Sequence, residues 1–292
     1  MLRIFYKEYL LISALIVGIS VNGWSADFGQ GVLWKVSKSG QESSFILGTI
    51  HSDDPSVTNL PAKVSSALQQ SRSFTAELDL NLNSIMQAQM QMLLPGDKTL
   101  QSVIGAQRYK KCVGLMAAYG APEMMVSKMK PWAIAAQLSM PKPQTGIFLD
   151  LKLYQMAQSQ GKKIYGLETV AEQMGIFDSM SLSQQLIMLD QAIKDYPTMP
   201  AKINLLLRLY VKRDLQGMER FSKKEMKKVN PEMAKLIDTK LIKERNHRMV
   251  DRMQPQLAAG KAFIAVGSLH LPGEQGILNL LQQRGYTLSA LY

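Results

Sequence analysis

FILGTIHSDDP, residues 45–55, carries an apolar strand-like run into a Gly-x-x-His turn and then two aspartates. IAVGSLHLPG, residues 264–273, repeats the frame near the other end of the chain. Gly48/His51 and Gly267/His270 thus use two of the three histidines in 292 residues. Each histidine follows a run with strand character. In open α/β sheets, ligands bind beyond the carboxyl ends of the strands. The repeated frame therefore raises the question of what else stands at strand ends in this chain.

Outward from these two stretches the pattern is α/β. GVLWKVSKSGQESSFILGTI reads as a hairpin around Gly40, and NLPAKVSSALQQS as a helix with Pro61 near its first turn. RSFTAELDL alternates, with Phe74, Ala76, Leu78 and Leu80 on one face and Thr75, Glu77 and Asp79 on the other, which predicts a strand. From Asn83 to about Leu138 the spacing is helical and rich in methionine, expected as core filler. Pro141 and Pro143 break the chain before a helix in FLDLKLYQMAQSQ, and GKKIYGLE is a short strand. Helices fill 170–253, and a strand, a helix and a strand close the chain. The expected fold is α/β: a central, mostly parallel sheet with an N-terminal hairpin and a long helical insertion. That insertion spans about 83–253, interrupted by a strand near 163–167, within a single domain over 26–292.

Four polar residues fall at expected strand ends: His51, Glu77, Glu168 and His270. If those strands are parallel in one sheet, two imidazoles and two carboxylates converge on one rim. Such donors suit a divalent transition metal such as Zn, Mn or Co. A bound metal lowers the pKa of water to about 7 and polarises a carbonyl. A glycine three residues before each histidine permits a tight turn and close backbone approach. Asp53, Asp54, Asp79 and Glu274 remain further ligand candidates, since spacing does not exclude them. In KERNHRM, Arg245 and Arg248 share a helix face and could hold a substrate carboxylate or an oxyanion. His247 lacks the glycine frame and is expected at the surface. A metal-activated water needs a proton acceptor, and histidines bound to metal have no lone pair for it. The expected division makes Glu77 the ligand and Glu168 the base.

The N-terminus differs from the rest. Arg3 and Lys7 precede an uncharged run from Leu10 to Val21, followed by small residues at Gly23 and Ser25. This predicts a secretory signal peptide over 1–25, with export to the periplasm or beyond the cell and no membrane span after cleavage. Cys112 is the only cysteine, so no intramolecular disulfide forms, and its helical surroundings suggest an inert thiol. The net charge of +11 concentrates in residues 202–252, with 15 Lys/Arg against 7 Asp/Glu. The stripe is read as a solvated helical face. No zinc-finger or aromatic RNA-binding pattern accompanies it, so no nucleic-acid partner is expected.

Taken together, Phe45–His51, AELD at 76–79, KPW at 130–132, GKKIYGLET at 161–169, ERN at 244–246 and VGSLHLPGEQGILNLLQQRGY at 266–286 resemble the TraB/GumN family, relatives of the animal Tiki metalloproteases that act on Wnt. The resemblance covers roughly Leu33 to Tyr292. It implies a compact α/β core with a helical insertion and Mn- or Co-dependent proteolysis. It also implies a metal held by His51, His270 and Glu77, with Glu168, Arg245 and Asn246 as further rim residues. Another member of the resembling family restrains peptide-pheromone signalling. One departure is Phe148, where the pattern leads one to expect glycine two residues before Asp150. The implied function is a metal-dependent hydrolase acting on a peptide or protein. The competing reading is a non-catalytic exported protein that binds a peptide, a metal or haem on the same rim.

Overall fold

The computed structural model describes residues 28–292; the predicted signal peptide lies outside the described residues. Six strands form one sheet: β1 (Leu33–Ser37), β2 (Ser44–Thr49), β3 (Ser73–Ala76), β4 (Lys163–Gly166), β5 (Ala262–Gly267) and β6 (Thr287–Ala290). Their order is β4-β3-β5-β2-β1-β6. Neighbours are parallel from β4 through β2, and only β1 runs against the rest, pairing antiparallel with both β2 and β6. The β1–β2 hairpin turns through Gly40, whose φ of 76° lies in the region open to glycine.

The central strands are apolar on both faces, as expected of a parallel sheet covered by helices. In β5 Ala262 to Val266 are all buried, and in β3 so are Phe74, Thr75 and Ala76. The alternation predicted for β3 is therefore not a half-exposed pattern, and the strand ends at Ala76, short of Glu77. Register places Thr49 opposite Gly267 and Ala76 opposite both Ala265 and Gly166. The four chain segments that leave β4, β3, β5 and β2 consequently emerge at the same edge of the sheet.

The helices used below are α1 (Ala62–Gln70), α2 (Leu82–Gln91), α3 (Ala106–Met116), α4 (Pro131–Leu138), α5 (Leu149–Ser159), α6 (Val170–Asp178), α7 (Leu182–Asp195), α8 (Met199–Val211), α9 (Leu215–Met226) and α10 (Glu244–Arg252). Val64 and Leu68 of α1, Leu149 and Leu153 of α5, and Met249 and Val250 of α10 join the core around the sheet. A second core lies within the helical region, where Trp132, Ile134 and Leu138 of α4 meet Cys112, Met116 and Leu189. Trp132 stacks on Phe177 with centroids 5.1 Å apart, and its indole N–H donates to Asp178. Truncating such a buried indole to alanine costs about 3–5 kcal/mol. Lys130 also pairs with Asp178, so the KPW triplet anchors α4 to the end of α6.

Methionine is not uniformly core filler. Met116 and Met129 are buried in the second core, yet α2 buries none of its residues, and Met86 and Met90 are 54% and 69% exposed. Cys112 is fully buried, which pushes its thiol up to about 11 and leaves it unreactive. Among the described residues no helix is long and apolar enough to cross a membrane. The basic stripe is extensively ion-paired, with Lys202 to Asp195 and Glu225, Lys240 to Glu244 and Arg252 to Glu172 among its contacts.

Candidate functional site

The rim is assembled from turns that leave parallel strands, plus one helix. Glu77 is the first residue after β3, Glu168 the second after β4, His270 the third after β5 and His51 the second after β2. Backbone bonds from Leu167 to Ala76 and from Glu168 to Glu77, 2.9 and 2.8 Å, extend the β3–β4 pairing past the strand ends and fix the two glutamates side by side. A π-helical turn over Ile237–Lys243 then leads into α10, which brings Arg245, Asn246 and Arg248 over the same edge.

Arg245 joins the two glutamates. Its Nη2 donates to Glu77 Oε2 and to Glu168 Oε2, both at 2.6 Å, and its Nε donates to Glu168 Oε2 at 2.9 Å. Arg248 donates to the other Glu168 oxygen at 2.6 Å. The Glu168 carboxylate is completely enclosed and both its oxygens are taken by guanidinium groups. Glu77 also accepts from the Gly267 amide, 2.6 Å, and from Gln173, 3.1 Å. Burial raises the pKa of Glu77, but His270, Arg245 and the Gly267 amide outweigh it and bring it down to about 2. Glu77 is an anion at neutral pH.

The two histidines are held in the same manner. His51 Nδ1 lies 2.9 Å from Asp150 Oδ2, and Thr49 donates to Oδ1 of the same carboxylate. The Asp150 charge raises His51, whose side chain is largely exposed, to about 9. His270 Nδ1 lies 2.6 Å from Asn246 Oδ1, and Asn246 Nδ2 donates to the Gln275 carbonyl at 2.7 Å. That last bond fixes the amide orientation, so His270 Nδ1 carries the proton and Nε2 the lone pair when the ring is neutral. Burial lowers the His270 pKa, which favours the neutral ring. His270 Nε2 stands 3.8 Å from Glu77 Oε1.

The paired glycines act through close approach. A Cβ on Gly48 would meet Leu271 and the Ser268 backbone at 2.8 and 3.0 Å, and one on Gly267 would meet Glu77 Oε1 at 3.2 Å. Neither has positive φ, so of the two roles expected of them only the close approach is used. Arg245 and Arg248 share a face, as their spacing predicts, and His247 is exposed with Nε2 on Gln275.

The further ligand candidates have other employment. Asp53 Oδ2 accepts from the backbone amides of Gln144, Thr145 and Gly146, and Asp54 caps the turn at Pro55–Thr58. Asp79 accepts from Tyr154 and Asn81, and Glu274 is exposed. Among the described residues no three His, Cys, Asp or Glu side chains are gathered closely enough to form a metal-binding group. Sequence reasoning passed over Asp150 and Gln173. A signal for the first existed, since Asp150 is the sole acidic residue between Glu123 and Glu168. Phe148, the departure from the expected glycine, is the residue that caps α5 in extended conformation just before Asp150.

Fold and rim together define an α/β protein whose parallel strand ends present two oriented imidazoles beside an arginine-bridged carboxylate pair. The chain belongs to the TraB/PrgY/gumN family, whose model matches residues 32–290. It is 21% identical over 267 residues to the uncharacterized protein YbaP of Shigella flexneri, across 89% of this chain and 96% of that protein. No solved structure matches the chain significantly.

Proposed function

We propose that the chain is a metal-dependent hydrolase acting on peptides, with His51, His270 and Glu77 as metal ligands. The observation that carries this reading is the fixed orientation of both imidazoles. Each ring has Nδ1 on a side-chain oxygen, Asp150 or Asn246, so that in the neutral ring, once His51 has given up its extra proton, Nε2 is the nitrogen left to ligate. Metal-binding histidines characteristically spend their second nitrogen this way. The fit lies in the chemistry of the donors, two imidazole nitrogens and an ionised carboxylate, rather than in a closed set of three. A divalent metal bound there would supply Lewis-acid chemistry to a carbonyl and to water. Mn, Co and Zn all suit these donors.

This chain's own residues then divide the remaining work. Arg245 keeps Glu77 ionised and aimed at the rim. Glu168, enclosed between two guanidinium groups, is better suited to positioning Arg245 than to accepting a proton. Asn246 sets the His270 tautomer, and Arg248, only part-buried, offers positive charge towards a substrate oxygen. Export to the periplasm or the medium belongs to the same reading and is supported by Arg3, Lys7 and the apolar run behind them.

The decisive experiment is metal analysis on the wild type and on His51→Ala and His270→Ala, followed by a peptide library offered with Mn, Co and Zn separately. The expected result is one metal per chain, lost in both variants, and cleavage with at least one metal. Equal metal content in all three proteins removes the metal site. Metal binding without cleavage by any metal transfers the protein to the non-catalytic binding class.

A further inference from the structure

Beside the rim lies a cavity of about 340 Å³, within the size range of small-ligand sites. One wall is Ser52–Asp54, the residues directly after His51. Another is formed by Met140–Lys142 and Gln144, from the segment that ends at Asp150, the partner of His51. The two segments are tied together by the Asp53 carboxylate on the amides of 144–146 and by the Leu149 amide on the Ser52 carbonyl, 3.1 Å. Cavity and His51 therefore share both of their supports, and a molecule held in one is held at a fixed distance from the other.

The remaining lining comes from Tyr119, Tyr196 and α8, including Met199, Ile203 and Leu207. The two tyrosine rings are 6.4 Å apart and tilted by 56°. Tyr119 spends its hydroxyl on the Met140 carbonyl, so what it offers the cavity is ring. Lys142 sits 5.8 Å over the Tyr196 ring. The two carboxylates of the wall are occupied: Asp53 by backbone amides and Asp54 by its capping bonds to Ser56. With both carboxylates occupied, the surface left for a ligand is mainly the Tyr119 and Tyr196 rings and the apolar side chains of Met140, Met199, Ile203 and Leu207, with Lys142 adding one positive charge and Asn204 and Gln144 polar edges. Aromatic rings gain from offset or edge contact with tyrosine beyond the area they bury, and methionine adapts to their shape.

We propose that this cavity is the side-chain subsite of the substrate, and that it selects peptides carrying Phe, Tyr or Trp close to the bond that is cut. The proposal rests on the peptidase reading above for the word substrate, but its binding prediction is independent of turnover. Occupancy by an aromatic side chain would hold the adjoining peptide backbone beside His51, through the supports the two share.

The test compares Ac-Ala-Ala-Phe-Ala-Ala-NH2 with its all-alanine counterpart, by calorimetric binding to the full mature chain with chelator present to suppress turnover. The phenylalanine peptide is expected to bind at least about tenfold tighter, the equivalent of about 1.4 kcal/mol. Ile203→Trp fills the cavity from α8, and Asn204→Trp covers it from an exposed position where folding is not at risk. Each should abolish the preference with an unchanged circular dichroism melt. Equal binding of the two peptides by the wild type, or a preference that survives Asn204→Trp, overturns the proposal. Cleavage is then followed by mass spectrometry with Mn, Co and Zn. Cleavage without aromatic preference sinks the subsite and leaves the peptidase. Aromatic preference in binding without cleavage by any metal sinks the peptidase and leaves an aromatic-peptide binding site.

Discussion

His51 and Asp150, which lie 99 positions apart in the chain, meet at 2.9 Å through Nδ1 and Oδ2. The contact crosses from the turn after β2 to the first turn of α5, and Thr49 holds the carboxylate from its other side. Asp150 is buried enough that its own ionisation is opposed, yet His51 and the two hydrogen bonds keep its pKa below the ordinary value. The histidine is raised to about 9 in return. Because the folded value exceeds the unfolded one, near 6.5, the histidine's share of the pair is fully present below about pH 6.5, as long as Asp150 stays ionised. That contribution is lost as pH rises through about 9. Asp150→Asn should return the His51 titration to about 6.5, read from its ring-proton shifts in the metal-free protein. A His51 that still titrates near 9 in that variant would mean that another group raises it.

The enclosed Glu168 makes a second prediction. Its charge is matched only because Arg245 and Arg248 converge on it. Glu168→Gln leaves two guanidinium groups facing a neutral amide, one of them buried. Breaking a buried pair from one side costs about 3–5 kcal/mol. The expected result is a large fall in the denaturation midpoint, partly restored by adding Arg245→Met, since removing both partners relieves the unpaired charge. A Glu168→Gln protein as stable as wild type but catalytically dead would instead restore Glu168 to the role of proton acceptor.

Much of the sheet was legible from local pattern. The apolar runs of β2 and β5, the Gly40 turn and the Gly-x-x-His frames are all short-range signals, whereas the strand order β4-β3-β5-β2-β1-β6 is set by tertiary pairing. Three things were not legible. Glu77 was read as a strand residue because alternation continues through Leu80, although β3 ends at Ala76. The exposure of Met86 and Met90 depends on what packs against α2, which its own periodicity does not encode. Gln173 joins the rim only through tertiary contact, with nothing in its own segment to mark it, and Asp150 is marked only by being the lone acid between Glu123 and Glu168.

Asp53 offers a test of how the loop beside the site is held. One carboxylate oxygen accepts from three successive backbone amides, an arrangement that stabilises the anion. Burial raises its pKa, but those amides outweigh the effect and hold it below the usual range. Its contribution is therefore present above the unfolded pKa of about 3.9 and lost as pH falls through the lower folded value. Asp53→Ala removes the acceptor for three amides of exposed residues, which then pass to water. Hydrogen exchange at 144–146 should accelerate by at least an order of magnitude, with β2 and β5 unaffected. Unchanged exchange there would show that the loop holds its shape without the carboxylate.

The two motif glycines should fail differently. A methyl group at Gly48 meets the Ser268 backbone at 3.0 Å and the end of Leu271 at 2.8 Å. Backbone cannot yield as a side chain can, so β2 and the turn after β5 must separate. Overpacking of this kind costs about 1–3 kcal/mol, and Gly48→Ala should appear as a stability mutant. At Gly267 the nearest atoms are Glu77 Oε1 at 3.2 Å and His270 Cδ2 at 3.4 Å, both belonging to side chains. The φ of −53° is open to alanine, so the backbone itself is not strained. Gly267→Ala should therefore fold with a melting temperature near wild type while displacing Glu77 from the Gly267 amide that now orients it. Metal affinity is the quantity expected to fall, by about tenfold or more, as for loss of an outer-shell contact. Calorimetric titration with Mn or Zn alongside thermal melts separates the two cases. Equal loss of stability in both variants, with metal affinity untouched in Gly267→Ala, would show that both glycines serve packing and that neither aims the carboxylate.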